Sequence, residues 1–411
     1  MGLPDIEINL TDEQKALRTE ARRFFMEVLR PASIELDKLA DPADVIAEGS
    51  VFWDVLRQVK ELGYHKRSYP EEMGGLGHAD PLAGAMISEE MGYAAADLAI
   101  AIGAGSFPYN FAMMSPHPEI QDITRRYCAD TDGRMIGCWA ITEPDHGSDW
   151  LLIGEQSKDP KLTPQLRAIP DGDGYVLNGQ KAAWVSNGTI ATHAALFFNL
   201  DPTIGMEGNG IAVISLDLPG ITRGAPLNKM GQRALNQGEI FFDNVRINKE
   251  NIICSDPQIY TFMSETTLSS ANAGMGNIFV GCAQAAFDEA LRYSQQRVQG
   301  GKVIFEHQGV KARLFEMFTM VEAARSLSRR VTLFNSQTQM PHVQYSIASK
   351  IFATETAFKV ASMAIQLFGG IGLSKESVIE KIFRDARAAM IEDGVNETLA
   401  LGGAEKLRGQ V

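Results

Sequence analysis

The sequence predicts an α+β protein of three domains, helical at both ends of the chain and built from strands in between. Apolar residues recur at helical spacing before about residue 130 and after about residue 258, whereas short β-branched and aromatic runs separated by turn residues fill the middle. A chain of 411 residues is long enough for two or three domains. We therefore place an N-terminal helical domain at residues 1–134, a central β domain at 135–254 and a C-terminal helical bundle at 255–411.

The first domain opens with a helix signal. Thr11 and Gln14 form a capping box, and apolar residues at spacings of three and four follow it until Pro31, which is expected to end the helix. The ranges 52–62 and 81–94 carry similar helical patterns.

The middle domain is predicted to be an antiparallel β domain. Its strands are short apolar runs bounded by turn signals, and Asn178-Gly179 has the composition of a two-residue hairpin turn. The runs are 174–177, 194–198, 211–215 and 239–242.

The third domain is predicted to be a bundle of three or four helices, each roughly 20–35 residues long. Three glycines interrupt the helical pattern between Phe368 and Leu373, where they permit either the close approach of a ligand or a helix C-cap and turn. One helix face is formed by Ile347, Ile351, Phe358, Ala361, Ile365 and Phe368.

Composition disfavours several classes of function. A net charge of −13 without a Lys/Arg-rich block disfavours binding to nucleic acid or to an anionic membrane. The chain has no apolar run of about 18 residues, so no membrane insertion is expected, and its N-terminus lacks the order of a secretory or transit peptide. The four cysteines are scattered, so we expect buried free thiols in a reducing cytoplasm rather than a metal or redox motif.

Two loops contain residues that can bind a cofactor. The loop from Trp139 to Asp149 combines hydroxyls, a glycine and carboxylates, which suit either a polar ring edge or a plain surface turn. Arg297 stands before a glycine pair at a helix end, where it can grip a phosphate or remain solvated.

Taken together, seven segments between residues 70 and 387 occur in the order found in the acyl-CoA dehydrogenase family, which this chain resembles over nearly its whole length. Thr142–Asp149 is similar to the most diagnostic motif of that family. Asn178–Gly188 is similar to its Trp-containing flavin-wall segment, with one extra residue after Lys181. The other segments are Pro70–Gly77, Phe241–Ile247, Arg297 with Glu306–Gln308, Gln366–Gly372 and Arg384–Arg387.

The resemblance implies a β-barrel-like central domain and a C-terminal four-helix bundle, with FAD bound between them. It also implies an acyl-CoA substrate, an electron-transfer flavoprotein as acceptor, and a homotetramer or dimer. Near the flavin ring and ribityl chain it implies Trp139, Ile141, Thr142, Ser148, Trp184 and Ser186. From a neighbouring subunit, on the FAD phosphates and adenosine, it implies Arg297, Gln299, Gln366, Gly369 and Gly370.

The family reaction takes a proton from the carbon α to the thioester carbonyl and passes a hydride from the β carbon to the flavin. The α proton is weakly acidic, so a carboxylate base is needed, and the carbonyl oxygen needs hydrogen-bond donors. The family base is the Glu of a Glu-Gly-Thr motif, and the ungapped match here is Asp393-Gly394-Val395, preceded by Glu392. Asp is shorter by roughly 1.5 Å, so three alternatives stay open: Asp393 is the base with a closer substrate, Glu392 is the base, or the reaction differs. Ser148 and Gly394 are expected to contact the substrate.

Other members of the superfamily supply alternatives. An Asp at position 393 is also similar to nitroalkane oxidase, a flavin oxidase of a non-CoA substrate, but that enzyme has an Arg where this chain has Ala400. Some relatives carry the catalytic Glu on an earlier bundle helix, at a position that matches Ala271 here. A non-catalytic flavoprotein, including the DNA-associated type, is disfavoured by the acidic charge.

The helix at 97–105 is expected to form the floor of the acyl pocket. Ile100 is apolar, Gly103 is small, and no Arg is placed to face inward for a dicarboxylic acyl group. We therefore predict an apolar acyl group, branched or cyclic. Asp97 is expected to be a solvated helix residue rather than a second pocket carboxylate.

Overall fold

The computed structural model describes residues 5–151 and 155–408. The outermost residues of the first and last predicted domains, 1–4 and 409–411, lie outside the described residues, as does the short stretch 152–154. The elements follow the predicted order of helices, strands and helices. The first helices are α1 (Asp12–Asp37), α2 (Val51–Glu61), α3 (Pro81–Ala104), α4 (Phe107–Met113) and α5 (Pro118–Ala129).

Helix α1 begins as predicted and ends later than predicted. Thr11 Oγ1 accepts a hydrogen bond from the Gln14 backbone at 3.1 Å, and the Gln14 side chain accepts one from the Thr11 backbone at 3.0 Å. The expectation that Pro31 ends the helix is wrong, because α1 continues to Asp37 with the proline inside it. Ala32 and Leu36 beyond the proline are buried in the core of the N-terminal domain, and this burial offsets the loss of one backbone hydrogen bond.

The middle of the chain forms a mixed sheet. Its strands run in the order β6-β7-β3-β2-β4-β5-β8, with β1 added beside β4. Most pairs are antiparallel as predicted, but β4 is parallel to both β1 and β2. The strands are β1 (Gly137–Ala140), β2 (Arg167–Asp171), β3 (Gly174–Lys181), β4 (His193–Asn199), β5 (Asn209–Ser215), β6 (Ile221–Arg223), β7 (Ile240–Asn248) and β8 (Ile252–Cys254).

The predicted hairpin turn at Asn178-Gly179 is wrong. Both residues lie inside β3, where the register against β7 shifts between Leu177 and Gly179. Gly179 has a φ of +137°, so it serves a bulge rather than a chain reversal. The reversal between β2 and β3 is made by Gly172-Asp173, where Gly172 has a φ of +63°.

The C-terminal bundle is built around α8, whose residues Ala357, Val360 and Ala361 are buried in its core. In the described residues, the stretch Val343–Leu373 is long and apolar enough to cross a membrane by length and composition alone, but it is the central helix of this bundle. The elements are α6 (Pro257–Gln296), a hairpin of β9 (Val298–Gln299) and β10 (Lys302–Val303), α7 (Gln308–Ser336), α8 (Val343–Phe368), α9 (Val378–Ala389) and α10 (Asn396–Glu405).

Helices α3 and α6 touch backbone to backbone. A Cβ at Gly92 would lie 1.9 Å from the Ile278 carbonyl oxygen, and one at Gly281 would lie 1.9 Å from the Glu89 carbonyl oxygen. Glycine is therefore required at both crossings. This contact fixes α3 of the N-terminal domain against the bundle.

The structure confirms the part of the cysteine prediction that expects buried, free thiols. Cys128, Cys138, Cys254 and Cys282 are all buried and free. Burial raises the pKa of the Cys138 thiol to about 12, which keeps it protonated and unreactive at neutral pH.

Candidate active site

The two acidic candidates lie in the segment of residues 390–395 between α9 and α10, which we call the acid turn. Asp393 has a φ of +49° and Gly394 a φ of +98°, so the chain passes through the left-handed region twice in succession. Glycine adopts this backbone without strain, and aspartate is among the residues that tolerate it best. A Cβ at position 394 would also lie 2.7 Å from Leu151 Cδ1 and 2.8 Å from Leu399 Cδ2.

Gly394→Ala is expected to lower the free energy of unfolding by about 1–3 kcal/mol, because alanine is strained at this φ and its Cβ overlaps two leucines. Chemical denaturation followed by circular dichroism measures the change. Gly309→Ala is the matched control, since that glycine lies in α7 with no atom within 4 Å of an added Cβ. Equal stability of the two variants would contradict the account.

Two buried polar side chains hold the acid turn from different elements. Lys350 Nζ on α8 donates to the Gly394 carbonyl at 2.7 Å and to Asn396 Oδ1 at 2.8 Å. Asn272 Nδ2 on α6 donates to the Asp393 carbonyl at 3.1 Å. Burial lowers the pKa of Lys350 to about 8, with the charge of Asp393 acting in the opposite direction.

The loop that matches the diagnostic motif also reaches the acid turn. Ser148 Oγ accepts a hydrogen bond from the Val395 backbone at 2.9 Å, so two predicted site segments meet directly. The loop is fixed from behind by a fully buried ion pair, in which Lys181 Nζ donates to Glu143 Oε1 at 2.8 Å and to the Ile141 carbonyl at 3.0 Å.

Glu392 and Asp393 have different environments. Gln232 Nε2 donates to Glu392 Oε2 at 2.6 Å, whereas the Asp393 carboxylate has no hydrogen-bond partner among the described residues. Nor does any described residue accept a hydrogen bond from the backbone N–H groups of Asp393 and Gly394. The acid turn therefore presents one free carboxylate next to two free N–H donors.

Burial raises the pKa of both carboxyl groups. For Asp393 the charge of Lys350 opposes the increase. For Glu392 the pKa rises to about 7, with Lys229 and the Gln232 hydrogen bond opposing burial and Asp393 adding to it. Both carboxyl groups therefore keep their protons to a higher pH than exposed carboxylic acids do.

Trp184 and Ser186 lie between β3 and β4, and we call them the flavin wall because the family resemblance predicts that they contact a flavin. The Trp184 side chain is strongly exposed, with 61% of its surface open. Gln237 Nε2 donates to the Trp184 carbonyl at 3.0 Å and to Ser186 Oγ at 3.3 Å. An exposed indole on a hydrogen-bonded backbone is suited to packing against a planar ligand.

Trp139 lies on β1 and is the other tryptophan that the family resemblance predicts near the flavin. It stacks on Phe107 with ring centroids 4.8 Å apart, and its ring N–H is buried without a hydrogen-bond partner among the described residues. Ile141 and Thr142 follow it and are half-buried, and the Thr142 carbonyl accepts from the Ala182 backbone at 2.9 Å.

The remaining cofactor candidates lie at the other end of the bundle. Arg297 follows Asn272 by 25 positions along α6, roughly 37 Å at 1.5 Å per residue. Tyr293 stacks on Phe368, with centroids 4.1 Å apart, and so joins the ends of α6 and α8. The candidates grouped at this end are Arg297, Gln299, Gln366, Gly369 and Gly370, all exposed.

The expectation that Asp97 is solvated is wrong. Its side chain is 0% exposed, Ser33 Oγ donates to it at 2.7 Å and Lys381 Nζ donates to it at 2.9 Å. Asp97 is therefore neither a surface residue nor a pocket carboxylate, and it belongs to a buried charge cluster with Lys381 and Asp385. On the same helix Ile100 is half-buried, and an added Cβ at the exposed Gly103 would meet no atom within 4 Å.

Family profiles described as the N-terminal, middle and C-terminal domains of acyl-CoA dehydrogenase match residues 11–114, 138–245 and 262–407. A cyclohex-1-ene-1-carbonyl-CoA dehydrogenase of Geobacter metallireducens is 31% identical over 391 residues, which are 95% of this chain and 96% of that protein. The chain belongs to the acyl-CoA dehydrogenase family. It is an FAD-dependent flavoprotein oxidoreductase that acts on the CH–CH group of an acyl-CoA.

Solved structures confirm the predicted fold of this acyl-CoA dehydrogenase. Butyryl-CoA dehydrogenase from Megasphaera elsdenii has a TM-score of 0.85 at 27% identity and covers 98% of this chain and 100% of its own. A chain from the structure of the electron transferring flavoprotein of Acidaminococcus fermentans has a TM-score of 0.85 at 25% identity, with 98% and 100% covered.

The residues present fit FAD. The unpartnered Trp139 ring N–H, the exposed Trp184 ring and the half-buried Thr142 and Ser186 hydroxyls offer a planar surface with hydrogen-bonding groups at its edge. At the other end of the bundle, Gly369 and Gly370 leave open space for a phosphate to approach the backbone. 

Several residues that shape this acyl-CoA dehydrogenase site were missed from the sequence. Lys350 could have been found, because it is the one charged residue within the apolar stretch from Tyr345 to Thr354. Asn272, Gln232 and Lys229 have no comparable signal, since a polar residue on a half-exposed helix or loop is ordinary.

Proposed function

We propose that this acyl-CoA dehydrogenase removes the α and β hydrogens of an acyl-CoA thioester with Asp393 as the base. The observation that carries the proposal is the difference between the two acids of the acid turn. Glu392 is bound to Gln232, whereas the Asp393 carboxylate has no partner among the described residues and stands beside free backbone N–H groups.

The acid turn supplies the groups that the reaction needs. The ionised Asp393 carboxylate takes the α proton, and the raised pKa of Asp393 makes it a stronger base than an exposed aspartate. Backbone N–H groups of Asp393 and Gly394 donate to the thioester oxygen as negative charge develops on it. FAD, when bound, accepts the hydride from the β carbon.

The shorter side chain of Asp393 is offset by the backbone. An aspartate reaches roughly 1.5 Å less than a glutamate, so the turn or the substrate must lie closer. Asp393 is held in a left-handed conformation by Asn272 and Lys350, and this tight turn supports a fixed, short reach.

For the cofactor, we propose that Trp139, Ile141, Thr142 and Ser148 line the isoalloxazine and ribityl chain, while Trp184 and Ser186 pack on and bond the ring. The residues at the far end of the bundle then serve the FAD of a neighbouring subunit, in a homotetramer or dimer. The separation of roughly 37 Å along α6 supports this arrangement. The far-end residues are Arg297, Gln299, Gln366, Gly369 and Gly370.

We propose an apolar acyl group, branched or cyclic, and an electron-transfer flavoprotein as the electron acceptor. The half-buried Ile100, the open space at Gly103 and the relative named for a cyclic acyl-CoA support the first. The similar chain in the solved structure of an electron transferring flavoprotein supports the second. Ser148 and Gly394 are proposed to contact the acyl-CoA. We also propose domain limits of 1–134, 135–254 and 255–411 and a cytoplasmic location.

Product analysis tests the function. With an artificial acceptor and a cyclic acyl-CoA, the product is expected to be lighter than the substrate by two hydrogens. The oxidase alternative predicts peroxide release with a nitroalkane instead. Nitroalkane oxidase has an arginine where this chain has the exposed Ala400, and this difference argues against the alternative. Peroxide from a nitroalkane, with no change in any thioester, would replace the proposal by that alternative.

A further inference from the structure

The segment of residues 229–237, which we call the bridging segment, contacts both halves of the site. It leads from β6 to β7 in the central domain. Gln232 binds Glu392 of the acid turn at 2.6 Å, and Gln237 binds the flavin wall at the Trp184 carbonyl and at Ser186 Oγ. One short piece of chain therefore connects the neighbour of the base to the surface expected to carry the flavin.

Gln232 is a rigid anchor for Glu392. It is 0% exposed and has a φ of +50°. One amide hydrogen goes to Glu392 and the other to the Asp385 carbonyl at 3.1 Å, while its backbone N–H donates to the Asp385 carboxylate. Two residues on, Ala234 and Leu235 are buried in the N-terminal core, so the bridging segment cannot follow a shift of the acid turn.

Lys229 places a charge on the same segment. Its Nζ donates to Gln237 Oε1 at 2.9 Å and to the Leu235 carbonyl at 2.8 Å. Burial lowers the pKa of Lys229 to about 8, and Glu392 is the acid that opposes this most strongly. Lys229 therefore binds Gln237, which contacts the flavin wall, and its charge attracts Glu392 of the acid turn.

Other charges around Glu392 lie on elements packed against the acid turn and the bridging segment. Lys350 on α8 attracts it and Asp393 repels it. Behind Gln232 lie Asp385 and Lys381 on α9 and Asp97 on α3, with Arg233 beside Lys229 on the bridging segment. Lys381 neutralises the two aspartates in part, so Lys229 and Lys350 are the charges that favour an ionised Glu392.

We propose that Glu392 is a positioning residue, whose carboxylate is held by Gln232 and attracted by Lys229, and which fixes Asp393 relative to the flavin wall. The proposal rests on the proposed function, in which Asp393 is the base. Because Glu392 and Asp393 are consecutive, movement of one moves the other. A displacement of the base by about 1 Å can cost on the order of 100-fold in rate, and a short aspartate leaves little tolerance.

The protonation of Glu392 then affects the rate through Asp393. Burial raises the pKa of Glu392 to about 7. Below that pH the carboxyl group becomes neutral and the attraction to Lys229 is lost, so the rate of flavin reduction is expected to fall as the pH drops through 7. Protonation of Asp393, whose pKa is also raised by burial, lowers the rate as well.

The test uses the holoenzyme and four variants: Glu392→Gln, Lys229→Met, the double variant, and the control Glu397→Gln. The Glu397 carboxylate is exposed on α10, five residues from Glu392. The control variant therefore removes a similar charge but none of the contacts that Glu392 makes. We measure the rate of anaerobic flavin reduction at saturating substrate between pH 5.5 and 9, the apparent substrate affinity, and the visible circular dichroism of the bound FAD.

Glu392→Gln should be slower by about tenfold near pH 7.5, where Glu392 and Lys229 are both mostly charged. Its substrate affinity should stay within about twofold, and the ionisation near pH 7 should be lost. Lys229→Met should behave similarly. The double variant should be no slower than the slower single variant, because both changes break the same attraction between Glu392 and Lys229. Both single variants should change the dichroism of bound FAD, and Glu397→Gln should change neither rate nor spectrum.

A Glu392→Gln enzyme with the wild-type rate, pH profile and flavin dichroism would overturn the proposal. The dichroism needs no substrate, so it decides the positioning role even if no thioester reduces the flavin and the proposed function fails. Lys229→Met decides it if Glu392→Gln does not fold, because Lys229 lies on a different element.

Discussion

Asp393→Asn is expected to lower the rate of flavin reduction by an acyl-CoA by about 10²- to 10⁴-fold. The amide has nearly the same shape as the carboxylate but cannot take the α proton. FAD should remain bound, because the Asp393 side chain makes no hydrogen bond with the described residues and the backbone bond from Asn272 that holds the acid turn is kept. Stopped-flow absorbance under anaerobic conditions measures the rate, and the visible spectrum measures the FAD content.

Asp393→Glu is the matched control for charge and reach. It restores a carboxylate with one more methylene, so it should retain far more activity than Asp393→Asn while differing in the optimum acyl group. Near-normal reduction in Asp393→Asn would transfer the role of base to Glu392. Because the pKa of Asp393 is raised, the wild-type rate should fall with protonation at a higher pH than for an exposed aspartate.

Lys381→Met is expected to produce the largest loss of stability, about 3–5 kcal/mol in the free energy of unfolding. Lys381 Nζ donates to Asp97 and to Asp385, and both carboxylates are buried. Burial alone would lower the pKa of Lys381, but the charges of Asp385 and Asp97 raise it above its usual range. Methionine has a similar length and leaves two buried carboxylates without their cation.

The loss in Lys381→Met should depend on pH. Without the cation, burial raises the folded-state pKa of both carboxyl groups, so the variant is most stable at low pH and loses stability as the pH rises. Denaturation at pH 5 and pH 8 measures this trend. Lys359→Met, which removes an exposed partner of Glu316, is the control and should change stability by less than about 0.5 kcal/mol. A loss below 1 kcal/mol at pH 8 in Lys381→Met would contradict the role of the cluster.

Much of the fold could be predicted because it depends on local patterns. The Thr11 capping box and the apolar runs of the strands are set by neighbouring residues, and the ordered motifs locate the acid turn and the flavin wall. Where distant contacts decide, prediction failed. Pro31 stays inside α1 because residues beyond it are buried, and Gly179 serves a bulge because β7 lies beside it.

The buried charges show the same limit within the site. Asp97 looks like a surface residue in the sequence, since nothing near it reveals that Lys381, almost 300 positions away, reaches it in the fold. Gln232 and Glu392 are 160 positions apart and meet only because α9 packs against the bridging segment. The motifs identify the family and its chemistry, while the contacts around Glu392 and Asp393 require the structure.

Anaerobic titration of the purified yellow enzyme with linear, branched, aromatic and cyclic acyl-CoA thioesters tests the central claim most directly. The account predicts that at least one thioester, branched or cyclic, bleaches the flavin absorbance within a single turnover, and that Asp393→Asn with the same thioester stays yellow. An unchanged flavin spectrum across the whole panel, or equal bleaching of the wild type and Asp393→Asn, would contradict it.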